Sequence, residues 1–183
     1  PERTEYPSNQ TAEFVANDLK KTFLGSPGEG HTFHIYTDGS THPGNKGCNS
    51  GVGIYVTDGK HNQIWKGGFH VRSDKNNFIA EMAAASTVIN AVPEKTQCTI
   101  WSDSMATIQA LKKGTLLSER KRVRAAGRLW LNWARPLLDT SCIHLQHVRS
   151  HTGNSTPAEV GNEMADTLAN FYRLQGEKMP PDS

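Results

Sequence analysis

The stretch His34-Ile35-Tyr36-Thr37-Asp38-Gly39-Ser40 narrows the possibilities for this chain more than any other. Its apolar positions alternate, so Phe33 to Thr37 reads as a strand that delivers one carboxylate, Asp38, to a glycine turn. Three later segments each offer another acid in an equally committed setting: Phe78-Ile79-Ala80-Glu81-Met82, Ile100-Trp101-Ser102-Asp103-Ser104 and Gly161-Asn162-Glu163-Met164-Ala165-Asp166. Taken singly, each acid has an ordinary explanation. Asp38-Gly39 is a common turn pair, and Glu81, in the first turn of a helix, suits the positive end of its dipole. Asp103 can cap the helix that follows its strand. Asp166, one turn into a helix with Asn162 at i−4 on the same face, has the usual place of an exposed acid.

Taken together they point elsewhere. Two acids sit at the C-terminal ends of strands and two near helix N-termini, where open α/β sheets place ligands. Four converging carboxylates without lysine or arginine partners repel one another unless cations neutralise them. Hard oxygen donors in that number suit Mg²⁺ or Mn²⁺. Two such ions about 3.5–4 Å apart would activate water on one side of a phosphodiester and stabilise the leaving oxygen on the other.

The rest of the chain supplies a scaffold of suitable size. At 183 residues with 36% apolar content it makes one ordinary domain with an appended arm, and no apolar run approaches a membrane span. No signal-peptide pattern is visible, and the start at Pro1 rather than Met is expected of a piece of a longer polypeptide. Three widely spaced cysteines, Cys48, Cys98 and Cys142, suggest neither a disulfide framework nor a zinc knuckle and fit an intracellular, reducing compartment. Net charge is only +2, too mild to imply a nucleic-acid partner. Its distribution says more: Arg120, Lys121, Arg122, Arg124 and Arg128 cluster within ten residues, a solvated helix face or a phosphate contact.

In chain order, residues 1 to about 30 look separate from the core. Thr11 to Phe23 places Ala12, Val15, Ala16, Leu19 and Phe23 at helical spacing before a Gly/Pro linker; an arm packed on the domain and a tether to a neighbour both fit. Strands are expected at Phe33 to Thr37, Gly51 to Thr57 and Gln63 to Val71, with an Asp58-Gly59 hairpin turn between the last two. A helix capped by Asn76 or Asn77 runs until Pro93, with Ile79, Met82, Ala83, Ser86 and Ile89 inward. A strand from Gln97 to Trp101 and a helix from Ser104 to Lys113, closed by Gly114, follow. A longer helix starts near Ser118 and runs past Trp130 and Trp133, both core or semi-core, towards Pro136. Ile143 to Val148 is a fifth strand. Thr156-Pro157-Ala158-Glu159 is a capping box with proline at the first helical position, opening a helix that runs to about Leu174 before a polar tail. A meander followed by alternating strands and helices implies an α/β fold, one mixed sheet flanked by helices. His144, His147 and His151 do not share a face and are not read as a zinc site.

Tyr36-Thr37-Asp38-Gly39-Ser40, Asn76-Asn77 with Ala80-Glu81, Trp101-Ser102-Asp103-Ser104, Val148-Arg149-Ser150-His151-Thr152-Gly153, and Gly161-Asn162-Glu163 with Ala165-Asp166 and Leu168-Ala169 resemble the motifs of the type 1 ribonuclease H family. The resemblance covers about residues 32 to 174, in the family's order. It implies a mixed five-stranded sheet, an antiparallel meander and then parallel strands, in a catalytic domain over 31–175 between an arm at 1–30 and a flexible tail at 176–183. It implies cleavage of the RNA strand of an RNA–DNA hybrid with two Mg²⁺ ions (Mn²⁺ substituting), leaving 3′-hydroxyl and 5′-phosphate ends. Asp38, Glu81, Asp103 and Asp166 are then the metal ligands, and His151 assists proton transfer or product release. Glu81 has a further possible role at a ribose 2′-OH, the group that distinguishes RNA from DNA. Ser40, Asn162 and one of Asn76 and Asn77 contact the hybrid; the offset of the asparagines to Glu81 is one residue longer than usual. Met105 stands where a polar contact is common. Arg120, Lys121, Arg122 and Arg124 fall where bacterial members carry a basic protrusion, here expected as a basic face of the long helix.

The Gly-Asn-Glu-Met-Ala-Asp run is similar to domains attached to retroelement reverse transcriptases, which implies a linked polymerase domain and a monomer when isolated. Two rivals remain. One is a transposase-like DNA nuclease on the same fold; the other is a non-catalytic hybrid-binding domain.

Overall fold

The computed structural model describes residues 10–26, 32–42, 48–72, 76–116, 121–150, 153 and 155–178. The elements are α1 (Gln10–Leu24), β1 (Thr32–Thr41), β2 (Cys48–Thr57), β3 (Gln63–Arg72), α2 (Asn77–Ala91), β4 (Gln97–Ser102), α3 (Met105–Lys113), α4 (Lys121–Leu138), β5 (Cys142–His147) and α5 (Pro157–Glu177). One five-stranded sheet runs in the order β3-β2-β1-β4-β5. The first three strands pair antiparallel, while β4 is parallel to β1 and β5 to β4. This is the mixed sheet expected from the element order.

The two faces of β1 serve different helices because strand side chains alternate. Gly39 faces α2, whose Ala80 and Glu81 backbone lies against it, while Tyr36 and Ser40 face α5 through Gly161 and Asn170. On the second face Tyr36 stacks on Trp101 of β4, with centroids 6.0 Å apart and planes 14° apart. Trp101 Nε1 donates to His34 Nδ1 at 3.2 Å. Burial, and then the neighbouring His61, hold the His34 imidazole below its ordinary pKa, consistent with a neutral ring accepting that bond.

Several boundaries move, each for a local reason. β1 does not stop at Thr37 but pairs with β2 through Thr41↔Ser50 and includes Gly39, so Asp38 lies inside a strand rather than at a turn. Gly39 serves close approach: a Cβ there would sit 2.7 Å from the Ala80 Cβ and 2.8 Å from the Glu81 nitrogen. The hairpin after β2 forms as expected, but its left-handed residue is His61 (φ 68°). Asp58 closes that loop by accepting from the Lys60 and Asn62 amides at 2.8 and 3.0 Å. α4 continues through Pro136 to Leu138, since a proline in the last turn forfeits a single backbone bond; its expected cap, Ser118, lies outside the described residues. α5 likewise continues to Glu177 rather than ending near Leu174, so the first positions assigned to a flexible tail are helical.

The described part of the N-terminal segment, α1, also differs from the expectation of a segment apart from the core. Ala12, Val15, Ala16, Leu19 and Phe23 of α1 are all buried and belong to the main core, against α2 and β3. Trp65 Nε1 fastens the helix by donating to Asp18 Oδ2 at 3.0 Å. At least for α1, the packed arm is the reading that holds.

Candidate active site

β1, α2, β4 and α5 each bring one acid to a common cleft of about 400 Å³, lined by Asp38, Glu81, Asp103 and Asp166 together with Gly39, Asn77, Phe78, Ser104 and Ala106. Asp38 stands on β1 opposite Gly53. Asp103 follows the last residue of β4, and Ser104, not Asp103, caps α3 by accepting from the Thr107 amide at 3.2 Å. That leaves the Asp103 carboxylate free of capping. Glu81 comes from α2, a helix whose residues from Ile79 to Ile89 are all buried. It lies just beyond the first turn, which holds no acid, so the dipole explanation for it weakens. Asp166 is deeper in α5 than one turn; the helix starts at Pro157, placing it about two and a half turns in.

Ligand oxygens of Asp38, Glu81 and Asp103 lie within 4.8 Å of one another. The Asp38 carboxyl is within hydrogen-bonding reach of Asp166, and that of Glu81 within reach of Asp103. Carboxyl pairs at that range must share protons or cations. Burial first, then Asp103 and Asp166, push the Asp38 carboxyl up to about 9, partly offset by the Gly39 amide. Burial and then Asp38 and Asp103 drive Glu81 well above the ordinary carboxylate range. Among the described residues, no lysine or arginine pairs with any of the four. Glu81 Oε1 is buried without a hydrogen-bond partner among them. A buried lone pair, hard oxygen donors and uncompensated charge are what a divalent cation site requires. The cluster could therefore hold a metal ion, and it is the only such group among the described residues.

The other expected site residues separate. Asn76 is the N-cap of α2, its side chain accepting from the Phe78 amide at 2.8 Å, whereas exposed Asn77 lines the cleft. Ser40 does not project freely: its hydroxyl is bonded to Asn170 and Arg173 of α5. Asn162 is only 3% exposed and is a buried residue of α5 rather than a surface contact. Lys121 and Arg128 are exposed on α4 and Arg124 half-buried; α4 approaches the ring of Phe78, a cleft-lining residue, at Gly127. Only α3 and α4 lie between β4 and β5 among the described residues, in line with a basic helix face. His151, Arg120 and the Arg122 side chain lie outside the described residues. Trp130 is fully buried and Trp133 half-buried, as expected.

Sequence reasoning missed Phe78, whose signal was its place beside Asn77, and the α5 residues Asn170 and Arg173 that engage Ser40. Asn170 lies one turn beyond Asp166, a spacing visible in the sequence, but nothing local names its partner.

A sequence model of the RNase H family matches residues 30–172. Curated proteins give no match. Among solved structures, RNase H1 from the halophilic archaeon Halobacterium salinarum is 23% identical with a TM-score of 0.59, covering 79% of this chain and 98% of its own. The N-terminal RNase H domain of a Mycobacterium tuberculosis protein, solved as a maltose-binding-protein fusion, is 18% identical with a TM-score of 0.58, covering 79% and 95%. LC11-RNase H1 in complex with an RNA/DNA hybrid is 18% identical with a TM-score of 0.57, covering 78% and 97%. These structures share the fold, while the sequence match spans most of the chain and both strands and helices that carry the four acids. The chain belongs to the RNase H family and is a ribonuclease H.

Proposed function

We propose that this domain hydrolyses the RNA strand of RNA–DNA hybrids, using two Mg²⁺ ions for which Mn²⁺ substitutes, and leaves 3′-hydroxyl and 5′-phosphate ends. The observation that carries the reading is the cleft of four acids with no cationic partner among the described residues. Asp38, Glu81 and Asp103 would hold one ion, and Asp38 with Asp166 the second, since those two carboxyls are in contact. When bound, such ions supply Lewis-acid activation of water and of the scissile phosphate.

The chain's own residues do the rest. Asp38 and Glu81 are fixed by burial, so their carboxylates cost little reorganisation at the moment of reaction. Of the two asparagines, Asn77 would contact the hybrid; its place in the cleft lining, with Asn76 committed to its cap, supports that choice. Glu81 faces the same cleft and can accept from a ribose 2′-OH, which selects RNA at the cut strand. His151 moves a proton at the leaving oxygen or aids product release, by its resemblance to the family's loop histidine. Lys121 and Arg128 of α4 offer the phosphate backbone a sequence-independent contact. An RNase H1 of the same fold was solved with an RNA/DNA hybrid, which supports the substrate class. The Gly161–Asp166 motif supports a setting within a retroelement reverse transcriptase, where hybrid is the immediate product of polymerisation.

The test is cleavage of a labelled RNA–DNA hybrid beside RNA and DNA duplexes, with Mg²⁺, Mn²⁺ or chelator. Metal-dependent cutting confined to the RNA strand of the hybrid is expected, lost in Asp103→Asn with hybrid binding retained. Cutting of the DNA duplex would favour the transposase-like rival; binding without cutting by the wild type would favour a scaffold.

A further inference from the structure

We propose that Arg173 is a positioning residue that sets the separation of Asp38 and Asp166 through Ser40 and Asn170. The inference rests on the reading of the four acids as a metal-dependent site. α5 lies on β2 along a track of glycines, in two rungs. At the first, Gly53 pairs with Asp38 across β1 and β2, and a Cβ on Gly53 would be 2.1 Å from the Ala165 carbonyl oxygen. The helix backbone thus touches the sheet one residue before Asp166. At the second rung Gly51 pairs with Ser40, and its Cβ would be 2.0 Å from the Ala169 oxygen and 2.3 Å from the Arg173 nitrogen. Bare glycines let a helix come close, but they offer no side chain of their own to interlock with it, so restraint along β2 at these rungs must come from neighbouring groups.

Side chains supply the missing restraint at the second rung. Ser40 Oγ donates to Asn170 Oδ1 at 2.6 Å and accepts from Arg173 Nε at 3.0 Å. A serine hydroxyl has one proton, so these two roles are complementary rather than competing. Arg173 Nη1 donates to Glu177 Oε2 at 2.8 Å, and both side chains are less than a fifth exposed, at 17% and 19%. His42 Nδ1 lies 3.4 Å from the same Glu177 oxygen. Ser40 follows Asp38 by two residues on one strand face, and Asn170 follows Asp166 by one helical turn. The latch therefore joins the same two elements as the Asp38–Asp166 contact, one step further out. A guanidinium bonded to both a hydroxyl and a carboxylate fixes direction as well as distance.

The experiment measures Mn²⁺ affinity by calorimetry, the Mg²⁺ midpoint of hybrid cleavage and the melting temperature. It compares wild type with Arg173→Met, Arg173→Lys and Asp18→Ala, the last removing the remote Trp65–Asp18 bond. Arg173→Met is expected to weaken Mn²⁺ binding about three- to tenfold, below the range typical of residues bonded directly to ligands. The Mg²⁺ midpoint should rise by the same factor while KM for hybrid stays constant. Arg173→Lys keeps the charge but not the two-nitrogen fork and should recover only part of the loss, and Asp18→Ala should leave metal affinity unchanged even if it lowers the melting temperature as much. Wild-type metal affinity in Arg173→Met overturns the proposal, as does an equal loss in Asp18→Ala. Should Arg173→Met fail to fold, Asn170→Ala removes the Ser40 acceptor with the arginine in place and is read by the same criteria. Wild-type protein that binds Mn²⁺ without cutting hybrid overturns the functional reading but leaves the latch decided by calorimetry; wild type that binds no Mn²⁺ overturns both.

Discussion

α2 carries Glu81 from inside the protein, whereas α5 carries Asp166 from a helix with one side in solvent. α2 has the sheet beneath it and α1 and α4 against its other sides, so Ala80 to Ile89 are buried without a break. α5 lies mainly on β2, and its outer side leaves Val160, Phe171 and Leu174 about half exposed, at 45%, 50% and 47%. The same cleft is thus built from one acid that cannot relax and one that can. Burial first, and then the neighbouring Asp38 and Asp103, hold the Glu81 carboxyl well above the ordinary carboxylate range.

The largest effect should come from neutralising each acid in turn. Glu81→Gln is expected to lower cleavage by roughly a thousandfold or more, about 4 kcal/mol of barrier. Asp166→Asn should cost less, on the order of a hundredfold, because its half-exposed position leaves room for water to substitute. In chelator Glu81→Gln should melt above wild type at pH 8, since a carboxyl whose folded pKa is raised costs stability as pH climbs above its unfolded value, and Asp166→Asn should change little. Steady-state cleavage and thermal denaturation of the same three proteins check both halves. Equal losses from the two variants would remove the distinction between a rigid and an adaptable acid.

Next in size is the seating of α5. Gly53→Ala would place a methyl 2.1 Å from the Ala165 oxygen, and backbone cannot yield as a side chain does. A loss of about 3 kcal/mol or more is expected in denaturant unfolding, with metal affinity falling as Asp166 withdraws from Asp38. Gly39→Ala is the matching test at α2. Its clashes, at 2.7–2.8 Å, are milder, but Glu81 itself is one of the atoms that must move, so activity should fall more than stability.

A smaller effect separates protons from metal. The Asp38 carboxyl is raised from 3.8 to about 9 in the folded protein, so between those values the native state binds more protons than the unfolded chain. Its contribution is therefore fully present below pH 4 and is lost as pH rises towards 9. With chelator, the melting temperature should decline by several degrees over the upper part of that window. Mn²⁺ should restore it, by more at pH 8 than at pH 6, because the ion binds the deprotonated carboxylates and releases protons. A metal-induced rise independent of pH would detach Asp38 from the ion.

What could be read from the sequence follows the range of the forces involved. Caps, hairpins and apolar periods are set by neighbours within a turn or two, and α2, α3 and α5 start where Asn76, Ser104 and Thr156 say they should. The four acids were legible because each sits on such an element. The extension of β1 through Gly39 was not, since its partners in β2 are supplied by pairing across the sheet and its spacing by Ala80. For the same reason the bond from Arg173 to Ser40, 133 residues away, left no local trace, and the apolar stripe of α1 did not name the surfaces it covers. Ser40 and Asn162, assigned to nucleic acid by motif, turned out to be engaged or buried within the domain because a motif records position but not direction.

The smallest effect tests the two helices at their starts. Asn76 accepts from the Phe78 amide at 2.8 Å, while the Thr156 hydroxyl accepts from the Glu159 amide at 3.3 Å and also bonds the Glu159 carboxylate. Each cap should contribute about 1 kcal/mol, so Asn76→Ala and Thr156→Ala should lower unfolding free energy by similar amounts. Their consequences for the cleft should differ. Fraying at the start of α5 is spent over about two and a half turns before it reaches Asp166, whereas Asn76 adjoins Asn77 and stands little more than a turn from Glu81. Asn76→Ala should therefore weaken hybrid binding and Mn²⁺ affinity about two- to threefold, by loosening cleft residues near a cap worth about 1 kcal/mol. Thr156→Ala should leave both intact. Calorimetric titration of the two variants decides it: parallel losses would mean that the rigidity of α2 does not depend on its capped end, and that burial alone holds Glu81 in place.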